Sequence, residues 1–296
     1  MERARPESLE RDRKSTRYRA AGVVVGGLAT TLLLAGCDAA VGIPGDEQRA
    51  TPAAHTTPAA AIPTTASTST VAAPPADAPP VGEVPGLPAA AQALRRWAAD
   101  LEADSIAGLQ AECWTMAPRN VAEMYDNKQA ILTALAQPGV ATADTVTWKS
   151  RTTTVTADPD AIKTGYACPR VFPTGTEPGY NDADARHTVR RYLSRFVGTP
   201  LDPSDKEGTY PLVCKASPAS WDPTGSGKPI PAPLANNPGK LTGVTKFADQ
   251  EIRSEQLRQD YLSVLVPVTN SSGVTQTRTF TLTEGADGYC IGDVSP

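Results

Sequence analysis

Residues 261–295 read YLSVLVPVTNSSGVTQTRTFTLTEGADGYCIGDVS, and this run decides the fold class. Tyr261–Thr269 and Thr275–Thr283 alternate or run apolar, as strands with one buried face do. Asn270-Ser271-Ser272-Gly273 supplies turn chemistry between them. The chain then closes through Gly285-Ala286-Asp287-Gly288-Tyr289-Cys290-Ile291-Gly292-Asp293-Val294, a hairpin into a short final strand. With Leu241–Gln250 as a further strand before them, an antiparallel sheet is expected to end the protein.

Upstream the period changes to that of helices. Leu94, Trp97 and Leu101 follow helical spacing, as do Ile106, Leu109 and Cys113, with the phase broken at Asp104-Ser105, where Ser105 can cap a second helix. After Pro118, the stripe Val121, Met124, Ile131, Leu132 and Leu135 runs to Pro138-Gly139, a stop signal. Thr145–Thr156 and Ile162–Phe172 read as a pair of strands joined through Asp158-Pro159-Asp160. Asn181–Val197 returns to helix, and residues 198–239 carry nine prolines, which disfavours long regular elements there.

The expected fold class is therefore α+β, with N-terminal helices packed on a curved antiparallel sheet over residues 88–296 and a Pro-rich insertion at 198–239. Helices first, sheet last and an ending of the form Asp-Gly-aromatic-x-Ile-x-Asp-Val resemble the NTF2-like (cystatin-like α+β roll) superfamily. The helix 181–197 and the proline-rich insertion depart from that pattern, and two small lobes meeting near 200–240 are the alternative. The resemblance implies a pocket between the sheet's concave face and the first helices, which Trp148, Tyr166 and Tyr261 would line; plain core packing is the competing reading. The superfamily hosts enzymes, carriers and assembly modules alike, so the fold by itself does not choose among them.

The N-terminus gives an address. Arg11, Arg13, Lys14, Arg17 and Arg19 precede an apolar core, Ala20 to Leu34, that is short of the about 20 residues a permanent span needs. It ends in Leu34-Ala35-Gly36-Cys37, which resembles the lipobox of bacterial lipoproteins. The resemblance implies a signal peptide over 1–36, cleavage before Cys37 and acylation of Cys37, with palmitate a typical chain, and so a lipid anchor on the extracytoplasmic face of the cell membrane. Two or three chains hold firmly, since each buried CH₂ contributes about 0.8 kcal/mol. Residues 37–87 are rich in Ala, Pro and Thr and poor in large aliphatic side chains, so they are expected to form a disordered tether. At roughly 3 Å per residue such a segment reaches on the order of 100 Å.

The chain has 28 Lys+Arg against 32 Asp+Glu, and residues 1–36 hold seven of the basic and four of the acidic ones, leaving a net charge of −7 beyond them. An acidic balance argues against nucleic acid, which needs a basic footprint. With Cys37 assigned to lipid, four cysteines remain, and an exported chain is expected to pair them. Neighbourhood along the chain suggests Cys113 with Cys168 and Cys214 with Cys290. Zinc is not expected, because no Cys-x-x-Cys occurs.

Of the two histidines, His55 lies in the tether and His187 in the body. His187 shares a helix with Arg186, Arg190, Arg191 and Arg195, on the face opposite Val189 and Phe196. That is either a basic stripe for an anionic head group or acidic partner, or a solvated face paired to Asp182 and Asp184. Asp182-Ala183-Asp184 starts a calcium-loop spacing but lacks its Gly and terminal Glu, so a helix cap explains it better. Asp202, Asp205 and Glu207 offer calcium an isolated acidic loop and no more. Gly225-Ser226-Gly227-Lys228 fails as a phosphate loop, since Asp222 stands at its first Gly and Pro229 at its Ser/Thr. No Gly-x-Ser-x-Gly, Ser-x-x-Lys or His-Glu-x-x-His occurs.

These observations lead to an expected lipid-anchored cell-envelope protein, non-enzymatic and without a cofactor or metal, that binds an apolar or envelope-derived ligand or docks on an envelope complex. The alternatives are an enzyme built on pocket carboxylates and a structural surface protein without a ligand. The sequence does not decide the oligomeric state.

Overall fold

The first helix begins where proline can begin one. Pro88 sits in the first turn of α1, Pro88–Ala103, where its missing N–H costs nothing, and Leu94, Trp97, Ala98 and Leu101 form one fully buried stripe. Ser105 then caps α2, Ile106–Glu112, its hydroxyl accepting from the Gly108 amide at 3.2 Å. The structure, a computed structural model, describes residues 73–258 and 260–296. The signal segment, Cys37, His55 and the tether up to residue 72 lie outside the described residues.

The apolar stripe after Pro118 makes two helices: α3, Pro118–Met124, and α4, Lys128–Leu135. Asn127 forces the break, accepting from the Ala130 amide at 3.1 Å and so restarting the helix. A four-stranded antiparallel sheet follows in the order β1-β2-β3-β4, with β1 at Val140–Ala141, β2 at Val146–Lys149, β3 at Thr153–Ala157 and β4 at Arg170–Pro173. Thr145–Thr156, expected as one strand, is thus most of a hairpin. The expected link at 158–160 is instead the start of helix α5, Pro159–Lys163, because Asp158 caps it and Pro159 fills its first turn.

Helices α1, α2, α3 and α4 close over this small sheet around Trp97, Leu101, Tyr125, Ile131, Leu135, Trp148 and Val155. The end of the presumed tether belongs to the same core, which corrects the boundary at residue 87. Val81 and Val84 are buried, the Gly82 amide donates to Leu135 O at 2.7 Å, and Trp148 Nε1–H donates to Gly82 O at 2.8 Å. A Cβ on Gly82 would sit 1.8 Å from Gln137 O, so only glycine allows the approach.

A second lobe is built on α6, Asp182–Phe196, which opens with a capping box: Asn181 accepts from the Asp184 amide while the Asp184 carboxylate accepts from Asn181 N–H at 3.0 Å. The short helix α7, Pro233–Asn236, leads into β5, Val244–Phe247; then come β6, Arg253–Arg258, β7, Tyr261–Asn270, β8, Thr275–Gly285, and β9, Gly288–Ser295. These five strands pair with one another antiparallel: β7 pairs with β8 and β8 with β9, while β6 and β5 share the other edge of β7, β6 along 261–265 and β5 along 268–270. Val264, Val266, Val268, Phe280, Leu282 and Val294 meet Ala185, Val189 and Leu193 of α6 in one core.

The molecule is thus α+β with curled antiparallel sheets, but the first helices do not pack on the last sheet as expected. They take the small sheet that follows them within a few residues, since short connections favour packing between consecutive elements. The large sheet takes α6 instead. The proline-rich segment is fastened to β9: Ile291 N–H donates to Leu212 O at 2.8 Å, Cys214 N–H to Ile291 O at 3.0 Å, and Cys214 is disulfide-bonded to Cys290. Trp221 then lies across Gly292, where a Cβ would come within 2.1 Å of the indole. Together with Tyr261 and Ala232 it forms a third small core.

Candidate functional site

Two hairpin ends of the large sheet frame an open cleft of about 390 Å³. The β6–β7 turn brings Gln256, Asp260, Tyr261 and Leu262, and the β8–β9 turn brings Glu284, Gly285 and Tyr289. Register places them together: Tyr261 stands opposite Thr283, and Glu284 opposite Tyr289. Gly288, at φ +116°, makes the tight return possible.

Asp260 and Glu284 carry no ion pair to another described residue, so the cleft is negatively charged and hydrogen-bond accepting. Burial, followed by the nearby carboxylates of Glu284, Asp184 and Asp182, pushes the Tyr289 hydroxyl up to about 12. It remains a protonated donor in ordinary conditions. Its ring meets Tyr180 edge-on at 6.4 Å, and the Arg170 guanidinium lies 4.2 Å from the Tyr180 centroid. Such a cleft suits a cationic or amide-bearing group held against phenol rings. A smaller cleft of about 140 Å³ lies between α3, β4 and the 177–181 segment, with Asn120, Glu123 and Arg170 in its wall.

The sequence-predicted pocket residues are dispersed. Trp148 is fully buried in the first core, and Tyr166 packs against that core with its phenol pushed well up by burial. Only Tyr261 reaches the cleft, and its hydroxyl already serves the third core, accepting from the Asp222 amide at 2.8 Å. The three do not line one cavity, because Trp148 in β2 and Tyr166 in the loop before β4 pack in the first core while Tyr261 belongs to the third.

The basic stripe is likewise consumed internally. Arg186 pairs with Asp182, and Arg190 with Asp249. Arg191 Nη2 reaches Asp205 at 2.7 Å, and Arg195 reaches the same carboxylate as well as Glu207 at 2.8 Å. The Asp205 side chain is wholly buried; burial pushes its carboxyl up, but the hydrogen bonds and charges of the two arginines together hold it below the ordinary value. His187 is buried too, its Nε2 at 2.8 Å from Trp114 O. Of the face expected to meet solvent or an anionic partner, Arg191, Arg195 and His187 meet the segment 200–210 and the first lobe, while Arg186 and Arg190 stay partly exposed beside Asp182 and Asp249.

The disulfides are Cys113–Cys168 and Cys214–Cys290. Asp205 and Glu207 hold arginines, and among the described residues no group of three or more His, Cys, Asp or Glu is placed to hold a metal ion. Asp260, Glu284 and Tyr289 escape a reading of the sequence: isolated in the chain, they meet only because two hairpins end side by side.

No protein-family model, curated protein or solved structure matches this chain.

Proposed function

We propose that this chain is a lipid-anchored, extracytoplasmic, non-enzymatic binding protein of the cell envelope that docks a protein partner through the cleft between Asp260 and Glu284. The carrying observation is that Trp148 and the large strand side chains fill the two cores, leaving Asp260 and Glu284, which carry no ion pair to another described residue, and the Tyr289 phenol to line the cleft. Lipid carriage is the weaker form, since the residues that would line an apolar pocket are divided between two cores. Cys37 is the proposed acylation site and 1–36 the proposed signal peptide; no helix of the described residues is long and apolar enough to cross a membrane. Within this reading, the second lobe, one long helix across a curled antiparallel sheet, is the part that resembles an NTF2-like or cystatin-like roll.

The test is photo-crosslinking in cells from position 284, compared with exposed Val274 at the far end of the sheet. A discrete protein adduct from 284, lost in Asp260→Asn, supports docking. Equal or no adducts from both positions, or a stoichiometric lipid in solvent extracts of the purified protein, overturns it. Asp260 and Glu284 also support a second reading, a carboxylate-dependent enzyme. That reading requires turnover abolished by Glu284→Gln.

A further inference from the structure

The two lobes are joined by a single passage of the chain, residues 174–181 between β4 and α6. Cys113–Cys168 lies within the first lobe and Cys214–Cys290 within the second, so neither disulfide crosses the junction. Non-covalent contacts hold it. The amides of Asn120 and Asn181 exchange hydrogen bonds at 3.2 and 3.1 Å, and Arg170 approaches Asp184 at 3.7 Å. The Trp114 ring sits edge-on to Tyr210, with the Arg191 guanidinium 5.0 Å from its centroid.

His187 is embedded in this junction. It is 4% exposed, one ring nitrogen bonds the Trp114 carbonyl of the other lobe, and the other, Nδ1, is buried with no partner among the described residues. A neutral ring that donates from Nε2 tolerates this, because an unbonded lone pair costs less than a buried charge. A second proton would give Nδ1 an N–H without an acceptor and create a cation beside Arg190 and Arg191 on its own helix. Asp205 faces it from the segment after α6 but is already shared by Arg191 and Arg195. Asp184, one turn back, is engaged by Asn181 and Arg170. The segment between α2 and α3 offers the Trp114 carbonyl, whose hydrogen bond favours the protonated ring but is outweighed by desolvation.

We propose that His187 is a proton-operated latch between the lobes: the neutral ring keeps α6 docked on Trp114, and its protonation parts the lobes about the 174–181 connector. Desolvation on burial, with Arg191 and Arg190 adding to it, holds the imidazole down to about 4. A ring freed by opening titrates near its ordinary value of 6.5. The ratio of open to closed forms therefore rises roughly tenfold per pH unit below about 6.5, until the closed form is also protonated.

The full exported chain in detergent tests this by hydrogen exchange at pH 7 and pH 5, corrected for intrinsic rates. Amides of residues 114–121 and 182–191 are expected to lose protection about 20-fold at pH 5, while Leu94–Leu101 and Val264–Val268 keep theirs. His187→Gln, which retains a donor for Trp114 but cannot titrate, is expected to be equally protected at both pH values. Unchanged protection in the wild type, equal loss in wild type and H187Q, or loss spreading to both cores overturns the latch. Histidine NMR on the unmutated chain is independent of any variant, since only His55 and His187 contribute. His187 must titrate well below the ordinary value of 6.5, and a titration at that value for both histidines overturns the proposal.

Discussion

Arg191 and Arg195, one turn apart on α6, converge on a single carboxylate, that of Asp205, which is fully buried. Arg195 also donates to Tyr210 O at 2.7 Å, and Arg191 stands over the Trp114 ring. The helix expected to present its charges outward is thereby tied to the 200–210 segment, and through Tyr210 and Trp114 to the other lobe.

Removing the shared carboxylate should be costly. Asp205→Asn leaves two guanidiniums facing one neutral amide, and breaking a buried pair in this way typically costs about 3–5 kcal/mol. Urea denaturation of wild type and D205N at pH 7 checks it; a loss below about 1 kcal/mol would mean the pair is offset by its own desolvation.

Acid should destabilise the protein in two separate windows. His187 has a depressed folded value, so its contribution is present above the unfolded value of 6.5 and is lost as pH falls toward about 4, amounting to about 2 kcal/mol by pH 5. Asp205 is also depressed, from 3.8, so its contribution is lost only at still lower pH. Denaturation free energies measured from pH 7.5 to 3.5 should fall between pH 6.5 and 4 in wild type and stay flatter in H187Q.

Gly292→Ala should loosen the third core. The added Cβ meets Trp221 ring carbons at 2.1–2.4 Å, and overpacking of this kind costs about 1–3 kcal/mol. Trp221 fluorescence should shift to the red; an unchanged spectrum and melting temperature would contradict the packing described.

Loss of Cys214–Cys290, which closes a loop with a sequence separation of 76, should cost about 2–5 kcal/mol and free the 212–235 segment from β9. Proteolysis of Cys214→Ser should cut within that segment while leaving residues 88–173 intact.

Acylation gives the simplest check of address. Cys37→Ala should abolish lipid labelling and release the protein from the membrane fraction, and retention of both would refute the lipobox reading.

By itself the sequence determined whatever is written locally. Ser105 marks a helix start, and the period-two runs around Asn270-Ser271-Ser272-Gly273 mark the β7–β8 hairpin, because capping and turn chemistry act over three or four residues. The tertiary structure alone decided which sheet each helix covers, that Arg191 and His187 are buried, and that Asp260, Glu284 and Tyr289 share a cleft. Those outcomes depend on contacts between residues far apart in the chain, such as Trp114 with His187. A charged helix face reads the same in sequence whether water or a buried carboxylate receives it. The difference lies in desolvation, and that is settled only when the chain closes over the site.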